Sequence, residues 1–226
     1  LQHSLLRGLN RKRLERPVLE RIAGETLVVM PGVLHPRLMR TGAFFARALQ
    51  SDPLLNGADV LDLGTGSGIC AVVAARRASS VAAVDLSRAA VHCAYINVVL
   101  SDLEDKVEVL LGDLYGPISG RRFDLILFNP PFVRGRPRDE ADLAWRSLDV
   151  AERFAAGLDD HLSPSGSALL LLSTFGDAAG YLRPLSDTGF VITLRARREF
   201  LNERLSLFRV RRRSDQPDER AIGDMQ

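Results

Sequence analysis

Three glycines at alternate positions, Gly64, Gly66 and Gly68, stand between an apolar run over residues 60–63 and an Ala/Val-rich stretch over 69–78. A chain passes from strand to helix in so few residues only where its backbone can take positive φ and approach a neighbour closely, which glycine permits. The pattern then repeats. Apolar runs over 81–84, 107–111, 123–128 and 168–172 alternate with helical stretches over 87–100, 139–161 and 178–186, with Ser87 placed as an N-cap. Repeated β-α units predict a parallel sheet with right-handed crossovers. The runs over 190–194 and 205–210 have no helix between them, so they are expected to pair antiparallel as a hairpin at the sheet. The expected fold is therefore α/β: a Rossmann-like, doubly wound, mostly parallel seven-stranded sheet with an antiparallel C-terminal hairpin and helices on both faces.

Three zones emerge along the chain. Residues 1–50 are expected to form an Arg-rich helical arm, a short strand over 27–30, a turn at Pro31 and Gly32, and a second helix over about 41–49. Residues 51–210 hold the core domain, and 211–226 read as a disordered polar tail. The net charge of +2 is unevenly spread: residues 1–25 carry six basic groups against three acidic ones, while 211–226 are balanced at four against four. A body this neutral lacks the basic field of a dedicated nucleic-acid binder. Local basic patches remain in the arm and at Arg134, Arg136 and Arg138, which fit either a phosphate or acidic partner or a solvated loop. Cys70 and Cys93 read as buried thiols in a reducing compartment. With no recognisable leader and no apolar run near the roughly 20 residues of a membrane span, a cytoplasmic protein without membrane contact is expected. The four histidines show no ligand spacing, so no metal is expected.

Doubly wound sheets bind ligands beyond the carboxyl ends of their strands, where strand order reverses. Four such ends carry informative residues. The first is Asp62-Leu-Gly64-Thr65-Gly66-Ser-Gly68, whose backbone N–H groups face a ligand at a helix start. Residues 66–71 also fit a dinucleotide fingerprint. Asp62, however, would repel a pyrophosphate, whereas it could pair with the cationic amino acid moiety of S-adenosylmethionine. Asp85, 17 residues beyond Gly68, suits a pair of ribose hydroxyls. At Gly112-Asp113-Leu114 a carboxylate can accept from an adenine amino group, with Leu114 or Leu86 against the ring. The fourth end is Asn129-Pro130-Pro131-Phe132. Two prolines stop the strand and fix the Pro130 carbonyl beside the Asn129 side chain, giving two aimed acceptors for a planar NH₂ group, with Phe132 available to stack on it.

In this order and at these strand ends, the four motifs resemble a class I S-adenosylmethionine-dependent methyltransferase of the amino-methylating Asn/Asp-Pro-Pro-aromatic group. Within it the chain is most similar to the HemK-like enzymes, which methylate a glutamine amide in release factors, and to related RNA amino-methyltransferases. The resemblance covers about residues 55–210. It implies S-adenosylmethionine as cofactor, S-adenosylhomocysteine as product and no metal. It assigns the acceptor site to Asn129, Pro130, Pro131 and Phe132, and cofactor contacts to Asp62, Gly64, Thr65, Gly66, Gly68, Asp85, Leu86, Gly112, Asp113, Leu114 and Asn129. The implied partner is a protein such as a release factor.

Three departures stand out. The aromatic is Phe where Tyr is usual, and about 50 upstream residues are too few for the separate helical domain of the bacterial enzymes. Residues 32–41 resemble the segment that closes over the cofactor but lack the acidic residue usually beside the threonine, so Thr41 reads equally as a cofactor contact or a helix N-cap. Two other acceptors stay open: an exocyclic amine of RNA or DNA, gripped through the basic arm and Arg134, Arg136 and Arg138, and a small molecule or peptide. A dinucleotide oxidoreductase leaves residues 129–132 unexplained.

Overall fold

Residues 15–138 and 142–213 are described in the computed structural model of the protein. Two strands come first, β1 (Val18–Ile22) and β2 (Glu25–Val29), paired antiparallel. Helix is expected ahead of residue 27, but residues 18–22 are a strand. Ala23 and Gly24 take φ of 50° and 81° and turn the chain straight back, as a two-residue hairpin requires. The rest of the expected arm, with Arg7, Arg11, Lys12 and Arg13, lies outside the described residues. Helix α1 (Thr41–Leu49) comes next.

The central sheet then builds from β3 (Asp59–Leu63), α2 (Ile69–Ala75), β4 (Ser80–Asp85), α3 (Arg88–Leu100), β5 (Val107–Leu111) and β6 (Phe123–Phe128). Two short strands, β7 (Val133–Arg134) and β8 (Arg146–Ser147), pair beside it. The chain continues through α4 (Val150–His161), β9 (Leu162–Ser173), α5 (Ala178–Asp187), β10 (Phe190–Phe200) and β11 (Glu203–Arg212). Across the sheet the order is β10, β11, β9, β6, β3, β4, β5. Strands β9, β6, β3, β4 and β5 are mutually parallel, whereas β11 runs antiparallel to both β9 and β10. The seven-stranded, mostly parallel fold with its C-terminal hairpin is thus as expected. From β3 the chain winds outward through β4 to β5, then returns to start β6 on the other side of β3. That reversal opens a crevice between the carboxyl ends of β3 and β6.

Side chains alternate across the sheet, as the two-residue strand period requires. Val60, Leu125, Leu127, Leu169 and Leu171 pack toward α1, α2 and α3, together with Ile22, Leu27, Phe45 and Leu49 from the N-terminal segment. Leu61, Leu63, Ile126, Phe128, Leu170 and Leu172 pack on the other face against Phe154 and Leu158 of α4 and Tyr181 and Leu185 of α5. Full burial stabilises each such Leu or Phe by roughly 1.5–3 kcal/mol. Residues 18–49 therefore share a core with the sheet, with no packing boundary at residue 50. Both cysteines are buried and free.

Three element boundaries differ from expectation. Helix α4 begins at Val150, eleven residues after the expected start at 139. Buried Asp142 accepts from the Arg138 backbone N–H and guanidinium and from Arg146 Nε, which folds this stretch into a loop. Val150 N–H then donates to Ser147 Oγ, starting the helix there. Residues 139–141 are outside the described residues. The hairpin strands are longer than expected, and Arg211 and Arg212 of the expected tail belong to β11. Arg212 donates to the carbonyls of Asp159 and Ser163, so a polar residue prolongs the strand by capping the end of α4. The tail beyond residue 213 is not among the described residues. Strand β9 begins at Leu162, ahead of the expected 168, because Leu162 already pairs with Phe123.

Candidate active site

The crevice has a volume of about 260 Å³ and gathers residues from all four predicted strand ends. Gly64, Gly66 and Gly68 take φ of 63°, 57° and 79°, so the loop turns at three positions that penalise any side chain. Gly64, Thr65 and Gly66 line the crevice, whereas Gly68 does not. A Cβ on Gly68 would lie 3.0 Å from the Ala94 Cα, so this glycine lets α3 pack against the loop.

Asp62 closes β3 at 3 % exposure. Thr65 Oγ1 donates to its Oδ2 at 2.7 Å. Burial raises its pKa to about 7, against the Thr65 hydroxyl and the Ala71 backbone N–H, which favour the anion; nearby Asp85 adds to the rise. Asp85 ends β4 and accepts from the N–H of Gly66 at 2.8 Å and of Ser87 at 2.9 Å, fixing the glycine loop to the start of α3. Burial pushes its carboxyl up, opposed by these backbone donors.

Gly112, Asp113 and Leu114 line the opposite wall, and Leu86 projects half exposed. Asp113 does not stand alone as the sequence suggests: Arg153 Nη1 of α4 donates to its Oδ2 at 2.6 Å and, through Nε, to Asp149 at 3.1 Å. At the end of β6, Asn129 Nδ2 donates to Thr41 Oγ1 at 3.5 Å, while Asn129 Oδ1 is buried with no hydrogen-bond partner. The next residues are held rigidly: the Pro131 carbonyl accepts from Tyr181 Oη at 2.7 Å and the Phe132 carbonyl from the Asp177 N–H at 2.9 Å.

Asn129 and Pro131 line the crevice, while Pro130 and Phe132 do not. Buried Phe132 instead lines a shallow groove on the far side of Pro131, which adjoins the crevice through Pro131, Ser147 and Val150. Thr41 lies in the first turn of α1 and faces the crevice; the N-cap is Arg40, with φ 64° and no capping side chain. The preceding segment contributes Val33, Leu34 and Pro36. It is pinned by buried His35, whose Nδ1 accepts from the Leu38 N–H and whose Nε2 lies 3.4 Å from Glu20, which also holds Arg37.

Arg134, Arg136 and Arg138, the local basic patch of the sequence, do not line the crevice. Arg134 is bound to Glu152 at 2.7 Å and Arg138 to Asp142 at 3.0 Å. The guanidiniums that do line it are Arg146 and Arg153. Arg146 pairs with Asp142 in a loop, so no helical spacing reveals it, and the pairing of Arg153 with Asp149 along α4 does not point to Asp113. Among the described residues no helix is long and apolar enough to cross a membrane.

A glycine loop, two strand-end carboxylates and an Asn-Pro-Pro segment around one switch-point crevice define a class I S-adenosylmethionine-dependent methyltransferase fold. The methyltransferase small domain family matches residues 26–186, and the chain belongs to it. The chain is 31 % identical over 205 residues to the release factor glutamine methyltransferase of Geobacter sulfurreducens, covering 81 % of this chain and 70 % of that protein. It is 36 % identical over 124 residues to the ribosomal protein uL3 glutamine methyltransferase of Bradyrhizobium diazoefficiens, covering 49 % and 39 % respectively. A solved T. thermophilus 16S rRNA N2 G1207 methyltransferase, in complex with AdoMet and guanosine, matches with a TM-score of 0.65 at 25 % identity, covering 88 % of this chain and 50 % of that one. The chain spans about half the length of most of the curated relatives it matches.

Proposed function

We propose that the protein methylates a planar NH₂ nitrogen with S-adenosylmethionine, and that its acceptor is the side-chain amide of a glutamine in a protein. The observation that carries this reading is Asn129 Oδ1, a buried acceptor without a donor at the crevice. A buried polar atom left unpaired costs about 1–3 kcal/mol, so such atoms point to a missing partner. The crevice suits the proposed donor. Asp62 offers a carboxylate to an ammonium group, Asp85 to ribose hydroxyls, and Leu86 and Leu114 offer apolar faces to a purine. Bound there, S-adenosylmethionine would supply a sulfonium methyl: the acceptor's lone pair would form the N–C bond while the C–S pair passes to sulfur, and the alkylated nitrogen would release one of its two N–H protons to water, leaving S-adenosylhomocysteine.

The protein's own part is orientation and charge. An amide nitrogen is a poor nucleophile because its lone pair is conjugated with the carbonyl. Accepting one N–H at Asn129 Oδ1, and the other at the Pro130 carbonyl once the acceptor reaches past the present lining of the crevice, turns that lone pair toward the donor and stabilises the positive charge that develops on nitrogen. Both hydrogen bonds therefore strengthen in the transition state. The prolines restrict the backbone that carries the second acceptor, and Tyr181 and Asp177 anchor the Pro131 and Phe132 carbonyls next to it. Phe132, in the adjoining groove, is the aromatic that would flank the acceptor plane on entry.

A second reading, transfer to an exocyclic base amine of RNA, has the guanosine complex of the T. thermophilus enzyme in its favour. It uses the same two acceptors. A labelled-methyl assay on cell extract split into protein, RNA and small-molecule fractions tests both. Label in protein, at glutamine after hydrolysis and sequencing, supports the first reading; label in RNA alone replaces it with the second. Asn129→Ala should lower turnover by roughly 10²–10³ while S-adenosylhomocysteine still binds. Near-normal turnover by this variant would remove the aimed-acceptor mechanism.

A further inference from the structure

We propose that Thr41 is a positioning residue for the transfer: its hydroxyl holds the Asn129 carboxamide with Oδ1 turned into the crevice, and holds it fully once the hydroxyl's own proton is given to the bound methyl donor. This rests on the reading of Asn129 as the acceptor's partner and deepens it by naming what aims that partner.

A carboxamide has two ends of opposite polarity and nearly equal shape, so its hydrogen bonds decide which way round it lies. Buried Asn97 shows a fixed one. Its Oδ1 accepts from the Val28 N–H at 2.7 Å, and its Nδ2 donates to the Val28 and Ser67 carbonyls at 2.7 and 2.8 Å. A backbone group can only donate or only accept, so Asn97 fits one way. Asn129 is held differently. Among the described residues its carboxamide makes a single hydrogen bond, from Nδ2 to Thr41 Oγ1 at 3.5 Å, and Oδ1 is left unpaired. Turned round, the same group would set Nδ2 where the acceptor's NH₂ arrives, donor against donor. The transfer therefore depends on the orientation of Asn129.

Thr41 is placed to decide it. The residue is buried and opens α1 without capping it, since Arg40 holds that place. Its backbone N–H donates to the Met39 carbonyl at 2.7 Å, the Ala43 N–H donates to the Pro36 carbonyl, and a Cβ on Gly42 would lie 2.7 Å from the Pro36 Cβ. The first turn of α1 is thus clamped on the segment that carries His35. Threonines in helices often turn Oγ1 onto a carbonyl three or four residues back. Thr41 does not: among the described residues its hydroxyl has one partner, Asn129, 88 residues along the chain, and its O–H donates to none. A hydroxyl both donates and accepts, so by itself it tolerates either orientation of Asn129. Thr41 and Asn129 both line the crevice. Once the O–H is given to a lone pair of the bound donor, only oxygen lone pairs face Asn129, so Nδ2 must donate and Oδ1 must face the acceptor. A bond of 3.5 Å is long, and such bonds at reacting groups shorten as substrate fills the site. The acceptor site is completed after the donor is bound, and the productive order is donor first.

The test follows the side-chain NH₂ resonances of Asn129 by NMR in the isotope-labelled full chain, with and without saturating S-adenosylhomocysteine. The Asn129→Asp spectrum identifies them by their absence. The ligand should shift them in the parent and in Thr41→Ser, and far less in Thr41→Val, where any direct effect of the ligand persists but the hydroxyl is gone. Thr41→Ala gives the same comparison should melting curves show that the valine variant does not fold. Equal shifts in the parent and the hydroxyl-free variant overturn the proposal. Turnover supplies a second readout, with the extract fraction that takes up label as acceptor. At saturating donor Thr41→Val should be slower by roughly five- to tenfold, the worth of one hydrogen bond, and Thr41→Ser should stay near the parent. Full turnover of Thr41→Val at saturating donor would reduce Thr41 to a donor contact and overturn its role toward Asn129. Failure of S-adenosylhomocysteine to bind the parent would overturn methyl transfer and this proposal together, whereas binding with equal shifts removes the proposal alone.

Discussion

Lowering the pH from 7.5 to 6 should weaken S-adenosylhomocysteine binding roughly tenfold, and Asp62 is the reason. Its carboxyl is buried at the end of β3 with a pKa raised from 3.8 to about 7. At pH 6 the free protein therefore holds a proton there in about nine molecules of ten, whereas a bound α-ammonium favours the anion. Binding must expel that proton. The cost is a factor of about ten at pH 6 and little at pH 7.5, equivalent to roughly 1.4 kcal/mol. Stability moves in the opposite direction: an acid whose folded pKa exceeds its unfolded one favours the folded state while protonated. The free protein should thus lose up to roughly 4 kcal/mol as pH rises from about 4 to 7 through this group alone. Calorimetry in two buffers of different ionisation heat reads the proton directly: close to one released per ligand at pH 6, and far less at 7.5. Asp62→Asn, which can still accept from Thr65, should bind more weakly at pH 7.5, lose most of the pH dependence, and melt higher than the parent at pH 8. Equal affinity at both pH values with no proton release would refute the desolvated carboxylate as the ammonium's partner.

Asp85→Ala removes the carboxylate that two backbone N–H groups orient, and should weaken S-adenosylhomocysteine by about 10–100-fold; unchanged affinity by calorimetry would exclude Asp85 from the ribose role. Arg153→Met releases the Asp113 oxygen held at 2.6 Å. Its preference for S-adenosyl- over S-inosylhomocysteine should narrow severalfold, because a carboxylate free to rotate discriminates less between an amino donor and a carbonyl. An unaltered ratio of dissociation constants would show that Asp113 needs no positioning.

The features legible in the sequence share one physical property: each constraint is local. A strand that becomes a helix within a few residues needs its glycines, and an acid at a strand end reaches the sheet's edge whatever surrounds it. The strand order and the crevice at β3 and β6 arise from such units and the handedness of their crossovers. The misplaced features depend on partners far along the chain or on packing. The start of α4 is set by Asp142 gathering Arg138 and Arg146 into a loop, against an amphipathic pattern that would have continued the helix. Strand β1 exists because Ala23 and Gly24 reverse the chain onto β2. Phe132 is turned into the outer groove because its carbonyl is tied to Asp177 and the preceding one to Tyr181, contacts 45 and 50 residues apart in sequence. Arg153 carries no motif, and only the fold brings it to Asp113.

Where polar groups stay unsatisfied separates framework from function. Buried Asn97 accepts from the Val28 N–H and donates to the Val28 and Ser67 carbonyls, joining β2, α3 and the glycine loop; buried Ser173 donates to Glu203. These groups are satisfied because their task is structural. Four buried side-chain atoms among the described residues lack a hydrogen bond. Two of them belong to residues with an ionic partner, His35 with Nε2 itself 3.4 Å from Glu20, and Glu152 holding Arg134 through its other oxygen. The other two are Asn129 Oδ1 and Arg209 Nε. Arg209 lies within the field of Asp52, whereas Asn129 Oδ1 has no such offset and sits at the crevice. What the Asn129 oxygen lacks is an N–H, which a planar NH₂ acceptor supplies.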